Sequence, residues 1–163
     1  MQGSQVHLGV DRRRVGTLVP QQFTNFILKV EWRVGRRDDN SGIYIRIPAS
    51  NTPNPLQAAD ANGHEVQIDP RGFDSTTNTE GHPLKLTGAI YDLQAPSAST
   101  QVQIGSWNSF LIEANGNRIR VTLNGQLVND YLSNRRQTGY IALQAHDFLS
   151  RTQFRNLAIK KLP

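Results

Sequence analysis

The chain has 163 residues, which is typical of one domain, and it lacks cysteine, which excludes disulfides and thiolate metal sites. Its formal net charge is +5, and the sequence has no run of about 18 apolar residues that would predict a membrane-spanning helix. The first residues also lack the apolar core of a signal peptide. These features are compatible with a cytoplasmic protein or with a domain of a longer secreted precursor.

Arginines supply most of the positive charge and cluster beside turn-like residues at positions 12–14, 36–37 and 135–136. Clusters of this kind raise the question of a nucleic-acid or other polyanionic partner. No recognition-helix pattern, zinc-ligand spacing or aromatic-basic RNA motif accompanies them. We therefore expect solvated loop charges and no nucleic-acid partner.

Alternation of apolar and polar residues runs through most of the chain, and no long segment keeps a helical period. The dipeptides Asn115-Gly116 and Asn124-Gly125 predict two consecutive hairpins, because Asn-Gly supplies the positive φ angles of a type I′ turn. In chain order, strands are predicted at 26–34, 41–47, 64–69, 87–92, 110–114, 118–123, 126–130, 139–146 and 154–162.

About ten short strands at this spacing predict an all-β protein with two packed antiparallel sheets, a sandwich or jelly roll. Long loops at 49–63, 70–86 and 93–106 are rich in Pro, Asn, Ser and Thr. Loops of that length usually form functional rims or are disordered. Neither an internal repeat nor a linker interrupts residues 1–163, which we expect to form a single domain.

The stretch HEVQID places polar Glu65, Gln67 and Asp69 at alternate positions, with Val66 and Ile68 between them. A strand sends alternate side chains to opposite faces, so the apolar pair faces a core and the polar trio faces outward. Carboxylate and amide oxygens accept hydrogen bonds from hydroxyl groups. The stretch therefore predicts a polar binding face on its sheet.

Several segments in order resemble the 3-keto-disaccharide hydrolase domain family: NFILKVEWR, NSGIYIR, HEVQIDP, TGAIYD, WNSFLIEANGNRIRVTLNG and GYIALQAHDFLSRTQFRNLAIKKL. The resemblance extends from Gly16 to Leu162. It implies a concanavalin A-like lectin/glucanase jelly roll whose concave sheet binds sugar, and an extracytoplasmic location. For some members it also implies cleavage of glycosides oxidised to a ketone at carbon 3.

Two departures from the family pattern are visible. The amino terminus before residue 16 is short, which suggests truncation, divergence or excision from a larger protein. The position before Glu65 is usually aromatic in the family, and here it is His64. We expect this histidine to alter the rim of the site.

Strand alternation and the resemblance together predict a set of outward-facing side chains that suit a polyol. Amides and carboxylates accept from hydroxyls, Arg donates in a fork, and Tyr offers a flat apolar ring. The charged residues of this set could instead form cross-strand ion pairs on a solvated face. Each such pair would contribute little to stability. The predicted substrate-binding residues are Tyr44, Gln67, Glu31, Arg33, Gln144, His64 and Asp69.

Residue spacing argues against ordinary double displacement. A retaining glucanase uses Glu-x-Asp-x-Glu with carboxyl groups about 5 to 5.5 Å apart. The corresponding run here is Glu65-x-Gln67-x-Asp69, whose outer α-carbons lie about 13 Å apart in a regular strand. The central Asp is replaced by Gln, and Pro70 ends the strand.

A 3-keto sugar permits elimination instead, because its carbonyl acidifies the hydrogen on carbon 2. Such an enzyme needs a base, a donor for the enolate and an acid for the leaving oxygen. The candidates are Glu65 as base, Arg46 as enolate donor, and His146 or Tyr91 as proton donor. An isolated histidine is more often structural, and His146 could instead cap the neighbouring turn.

Metal ligands are not evident from local spacing. The DDNSG run at 38–42 has oxygen ligands suited to calcium, but it lacks the spacing of a known loop, and Asp and Asn before Gly favour a turn. The four histidines show no zinc-site spacing. His64 and His146 could still converge with Glu65, which leaves a divalent metal ion open as a cofactor.

The sequence favours a glycoside-cleaving domain with a saccharide substrate. The alternatives are a non-catalytic carbohydrate-binding module of a larger extracellular protein, and a structural or adhesion domain. An enzyme should bury a carboxylate beside a donor, whereas a binding module should expose aromatic platforms. Aromatic residues make up only 7% of the chain, which favours the enzyme.

Overall fold

Strands make up almost all the regular structure in the computed structural model, which describes residues 17–49, 61–99, 101–147 and 149–163. Most of the predicted loop at 49–63 and the arginines at 12–14 lie outside the described residues. The strands are β1 (Thr17–Leu18), β2 (Phe26–Arg33), β3 (Ser41–Ile47), β4 (His64–Ile68), β5 (Asn108–Asn115), β6 (Arg118–Leu123), β7 (Gln126–Leu132), β8 (Tyr140–Leu143) and β9 (Gln153–Lys161), with a 3-10 helix at Pro83–Lys85.

The strands form two sheets in which every paired neighbour is antiparallel. The four-stranded sheet has the order β1-β8-β3-β4, and the five-stranded sheet has the order β7-β6-β5-β2-β9. The prediction of an all-β, two-sheet sandwich is confirmed. Among the described residues, we find no helix with the length and hydropathy that crossing a bilayer requires.

The core lies between the two sheets and is built from the apolar members of the alternating strands. On β2 every second residue is fully buried, and on β5 the same period brings Phe110 against Trp32, with ring centroids 5.2 Å apart. Burying one such side chain stabilises the fold by about 1.5–3 kcal/mol. Fully buried core residues include Phe26, Leu28, Val30, Trp32, Ile43, Ile45, Val66, Ile68, Ile90, Phe110, Ile112, Ile119 and Ile141.

The two predicted hairpins form, but one turn is shifted by a residue. Between β6 and β7 the loop is Asn124-Gly125, and both residues have positive φ, 49° and 87°, as a type I′ turn requires. Between β5 and β6, Asn115 pairs with Arg118, so the turn is Gly116-Asn117. Glycine with φ 54° at the first turn position fits type II′.

The segment predicted as a strand at 87–92 forms only isolated bridges. Ile90 bridges to Val66 at the free edge of β4. Gly88 and Asp92 have φ of 85° and 56°, outside the extended region, so the ladder cannot continue through them. The segment widens the four-stranded sheet at this edge without forming a full strand.

Candidate functional site

Tyr44 and Glu65 are direct cross-strand partners on the outer face of the four-stranded sheet, the side turned away from the core. Tyr44 pairs with Glu65 of β4 and, on its other side, with Ala142 of β8. Their neighbours Ile43 and Val66 are fully buried in the core. Because side chains alternate along a strand, Tyr44 and Glu65 point to the opposite face.

A second tyrosine lies beside Glu65 on its other side. The backbone N–H of Tyr91 donates to the carbonyl of Glu65 at 2.9 Å, next to the bridge between Val66 and Ile90. Ile90 faces the core, so the alternation directs Tyr91 to the outer face. Glu65 therefore lies between Tyr44 and Tyr91 in one row across the sheet.

The neighbouring row across the outer face combines two amides with two very small residues. Gly42 pairs with Gln67, and the backbone N–H of Gln144 donates to the Gly42 carbonyl at 2.9 Å. Beyond Gln67, the row ends at Ala89, whose carbonyl accepts from the Gln67 N–H at 3.0 Å. Gln144 Nε2 donates to the Tyr44 hydroxyl at 3.0 Å, which links the two rows.

The Glu65 carboxylate lies over Gly42, in space that any larger residue would occupy. A Cβ on Gly42 would stand 2.8 Å from Glu65 Cγ and 2.7 Å from Cδ. With its amide nitrogen turned toward the carboxylate, Gln67 donates to Glu65 Oε1 at 3.1 Å and to the Ser41 carbonyl at 3.2 Å. Glu65 is 6% exposed. The Glu65 carboxylate is thus held in place and largely buried, and it can accept a proton or a hydrogen bond from a hydroxyl group.

Comparison with known proteins supports a carbohydrate-active role for the chain. A model of the 3-keto-alpha-glucoside-1,2-lyase-like domain matches residues 6–160. The chain belongs to this family. The resemblance seen in the sequence is thereby confirmed. No curated protein matches the chain in sequence.

Solved structures with the same fold include an inferred glycosyl hydrolase from Parabacteroides distasonis, with 22% identity and a TM-score of 0.76 over 91% of this chain and 76% of that one. Carbohydrate-binding module CBM66 from Bacillus subtilis has 13% identity and a TM-score of 0.61, over 98% of this chain and 92% of that one. A family GH16 endo-beta-1,3(4)-glucanase has 8% identity and a TM-score of 0.51, over 87% and 60% of the two chains. At these identities the likeness shows the jelly-roll fold.

Arg46 does not join the outer face of this lyase-like domain, so the expectation that it lies beside the predicted base is wrong. The β3–β8 register shifts between Tyr44 and Ile47, and Arg46 within this bulge has φ 55°. The bulge breaks the alternation on which the prediction rested. Its guanidinium donates to the carbonyls of Gly116 at 2.8 Å and Thr24 at 2.7 Å, which flank the opposite sheet. Burial lowers the pKa of Arg46 to about 10.

His64 is also absent from the outer face, and the expectation that it alters the rim of the site is wrong. It pairs with Ile45, a core residue, and therefore points inward while Glu65 points outward. Its Nε2 is 2.6 Å from the Ser133 hydroxyl, and its ring packs edge-on against Tyr131 with centroids 6.1 Å apart. His64 thus packs as a core residue.

The buried histidine predicts a loss of stability in mild acid. Burial, followed by the positive charges of Arg135 and Arg46, lowers the pKa of His64 from 6.5 to about 4. Between these values the unfolded chain binds the extra proton, so the free energy of unfolding falls by about 1.4 kcal/mol per pH unit as pH decreases. Urea unfolding at pH 7 and pH 4.5 should show this loss, and His64→Phe should show much less of it. Equal acid sensitivity in the two proteins would contradict the assignment.

Glu31 and Arg33 lie in the other sheet, so the expectation that they share a face with Glu65 is wrong. Strand β2 is in the five-stranded sheet, where Glu31 Oε2 accepts from Arg155 Nε at 2.6 Å and from Asn156 Nδ2 at 2.8 Å. Arg33 Nε donates to Gln153 Oε1 at 3.1 Å. Both residues make the cross-strand contacts of a solvated sheet face.

Asp69 and His146 have local structural partners. The Asp69 carboxylate accepts from the backbone N–H groups of residues 71–73 at 2.8, 3.2 and 3.0 Å, which organises the turn after β4. Substrate hydroxyls would compete with those donors, so a binding role for Asp69 is not supported. His146 lies in an exposed loop after β8, where its Nδ1 is 2.8 Å from Asp147 Oδ2.

The DDNSG segment starts in a turn at Asp38 and ends in β3, which begins at Ser41, so the predicted turn forms only at its start. The buried Asp39 carboxylate accepts from the backbone N–H groups of Gly35 at 2.7 Å, Arg36 at 2.9 Å and Arg151 at 3.0 Å. Burial opposes ionisation, but these donors outweigh it and lower the pKa of Asp39. Within the described ranges, no three His, Cys, Asp or Glu side chains come together as metal ligands.

Sequence analysis missed Lys85, whose Nζ donates to the Tyr91 hydroxyl at 2.8 Å and lies 4.4 Å from the centre of that ring. Lys85 ends the 3-10 helix within a long loop. Loop residues follow no side-chain period, so the sequence carries no signal that the two side chains meet.

Proposed function

We propose that this domain cleaves 3-keto-glycosides by elimination at the outer face of the four-stranded sheet. The observation that carries the proposal is the Glu65 carboxylate, 6% exposed, which lies over Gly42 and is flanked by tyrosines on both neighbouring segments. A carboxylate held away from water beside an amide donor suits a general base. The family to which the chain belongs supports the choice of substrate.

In the proposed step, Glu65 removes the proton from carbon 2 of the sugar, which the carbon 3 ketone has made acidic. The electron pair passes through the enolate and forms the double bond between carbons 1 and 2 as the ketone is restored. The bond from carbon 1 to the glycosidic oxygen breaks, and its electron pair stays on that oxygen. Tyr91 supplies the proton that the leaving oxygen takes up, so no oxidant or reductant is needed.

The geometry favours Tyr91 over His146 as the proton donor, because Tyr91 lies beside Glu65 and His146 lies in an exposed loop against Asp147. With Arg46 directed toward the opposite sheet, we assign the substrate's hydroxyl and enolate oxygens to the hydrogen-bonded pair of Tyr44 and Gln144. Gln67 orients the base through its amide.

The same face argues for catalysis over simple sugar binding. A binding module presents exposed aromatic rings on which sugars stack, whereas Tyr44 is 2% exposed and Tyr91 is half-buried. Small residues, Gly42, Ala89 and Ala142, line the floor beside the carboxylate. Gly42 leaves the space that the Glu65 carboxylate fills, so the small residues help to place the base.

The direct test is incubation with 3-keto-glucosides beside their unoxidised parents, with and without a chelator. We expect cleavage of the 3-keto compounds alone, and a slower reaction when the hydrogen on carbon 2 of the substrate is replaced by deuterium, because that bond breaks in the step. Equal cleavage of the unoxidised parents would overturn the elimination mechanism. Saturable binding of the 3-keto compounds without cleavage would favour the binding-module alternative.

Gly42→Ala should lower turnover while leaving the fold intact. Gly42 is not among the residues with positive φ, so its backbone accepts alanine, but the new methyl group would displace the Glu65 side chain. A misplacement of about 1 Å can cost about 10²-fold in rate. Gly35→Ala is the matched control, because its Cβ would meet Asp39 at 3.5 Å, an ordinary contact. Similar rates for both variants would show that the position of Glu65 does not matter.

A further inference from the structure

We infer that Lys85 positions Tyr91 and stabilises its phenolate, so that Tyr91 can act as the general acid of the elimination. The inference rests on the proposed function, and it adds a residue that neither sequence alternation nor family membership points to. Three observations support it. The Lys85 ammonium group contacts Tyr91, this contact determines where the Tyr91 proton points, and Tyr91 lies beside Glu65.

The Lys85 ammonium group is held against Tyr91 by several contacts. Its Nζ donates to the Tyr91 hydroxyl at 2.8 Å and to Asp92 Oδ1 at 3.1 Å, and it lies 4.4 Å from the centre of the tyrosine ring. The Lys85 side chain is only 13% exposed. The backbone fixes both partners, because Lys85 N–H donates to the His82 carbonyl and Asp92 N–H to the Leu84 carbonyl.

The lysine remains charged in this position. Burial favours the neutral amine, but the hydrogen bonds to Tyr91 and Asp92 outweigh that effect and raise the pKa of Lys85. A cation at hydrogen-bonding distance from a phenol oxygen stabilises negative charge on that oxygen. The phenolate left after proton transfer would therefore be stabilised where it forms.

The same contact determines where the tyrosine proton can go. An ammonium group has three donors and no acceptor, so the Tyr91 oxygen must accept from Lys85 and its own O–H must point elsewhere. Within the described residues, no side chain or carbonyl accepts that proton. Tyr91 is half-buried beside Glu65, so the O–H is available to a leaving oxygen bound over the outer face.

A purely structural role for Lys85 predicts a different loss of activity across substrates when the lysine is replaced. If the lysine only holds the loop in place, its loss should impair every substrate alike. If it supports an acid, its loss should matter only when the leaving group needs a proton, because a stable phenolate leaves without one. The dependence of rate on the leaving group therefore separates the two roles.

The experiment compares a methyl 3-keto-glucoside with a 4-nitrophenyl 3-keto-glucoside in the full chain and in Lys85→Met, Lys85→Arg, Tyr91→Phe and Lys29→Met. We expect Lys85→Met and Tyr91→Phe to lose about 10²-fold or more in kcat on the methyl compound and to stay within a few-fold of the parent on the nitrophenyl compound. Lys85→Arg should recover part of the loss, because it keeps the charge. The exposed Lys29→Met should match the parent on both substrates.

Equal losses on both substrates, or none on either, would overturn the role of Lys85. Failure of the parent protein to cleave even the nitrophenyl compound would overturn the proposed function itself, so the two failures are distinguishable. Circular dichroism of each variant identifies any that does not fold. If Lys85→Met does not fold, the rates on the two substrates can still be compared in Tyr91→Phe and Lys85→Arg.

Discussion

Glu65→Gln should reduce turnover of a 3-keto-glycoside by about 10²–10⁴-fold, the usual contribution of a general base. Glutamine keeps the size of the side chain and can still lie over Gly42, but it cannot take the proton from carbon 2. Folding and much of the sugar affinity should remain, because the amide still makes hydrogen bonds. Steady-state kinetics together with calorimetric titration of the substrate would measure both quantities.

The matched control for this variant is Glu31→Gln, which makes the same chemical change in the other sheet. Glu31 forms an ion pair with Arg155 on the solvated face of β2 and β9. Removing an exposed pair of this kind costs about 0–1 kcal/mol and should leave turnover unchanged. Full activity in Glu65→Gln would remove Glu65 as the base. Loss of binding together with activity would favour the binding-module alternative, with Glu65 as a hydroxyl acceptor.

Arg46→Ala should lower the free energy of unfolding by about 2–5 kcal/mol, because it empties the space of a fully buried side chain and leaves two backbone carbonyls without their donor. Those carbonyls belong to Thr24 and Gly116. Chemical denaturation of the purified variant would measure the loss. Arg33→Ala, which removes a cross-strand contact to Gln153 and a cation–π contact with Trp107, should change stability by about 1 kcal/mol.

A different result for Arg46→Ala would restore the original expectation from the sequence. If the variant kept its stability but lost turnover, Arg46 would act on the substrate and the buried position would not describe the working protein. If turnover fell only in proportion to the fraction of unfolded chain, the structural role would stand.

Much of the fold follows from local pattern. The period-2 alternation of β2, of β5 and of β3 as far as Ile45 correctly separates core residues from outward residues, and Asn124-Gly125 forms the turn that its sequence predicts. The shared outer face of Tyr44, Glu65 and Gln67 follows from the same alternation, because a slip of one residue would exchange the two faces of a strand.

Alternation could not predict which sheet a strand joins. Glu31 and Arg33 have the correct period, but β2 pairs with β5 and β9, so both residues lie in the five-stranded sheet. Pairing between strands depends on contacts far apart in sequence, and a local pattern contains no information about them. The meeting of Lys85 with Tyr91 was missed for another reason, because Lys85 lies in a loop, where side chains follow no period.

Two other misplacements have local causes. A β-bulge redirects Arg46, and nothing in the run SGIYIRI marks where the extra residue will fall. The misplacement of His64 has a different cause. Alternation with Glu65 correctly predicts that the His64 side chain points inward. Its polarity suggested an exposed rim, whereas the neutral imidazole is buried with Nε2 at hydrogen-bonding distance from Ser133.

The contacts of Arg46 also bear on how long the native state lasts. Its guanidinium joins segments that lie 22 and 70 residues away in the chain. Bonds that join such distant segments form only after both sheets have come together, which is late on the folding pathway. We therefore expect Arg46 variants to leave the refolding rate nearly unchanged and to accelerate unfolding. By that reasoning, this one side chain helps to determine the lifetime of the closed sandwich, and hence how often the chain is exposed to proteases.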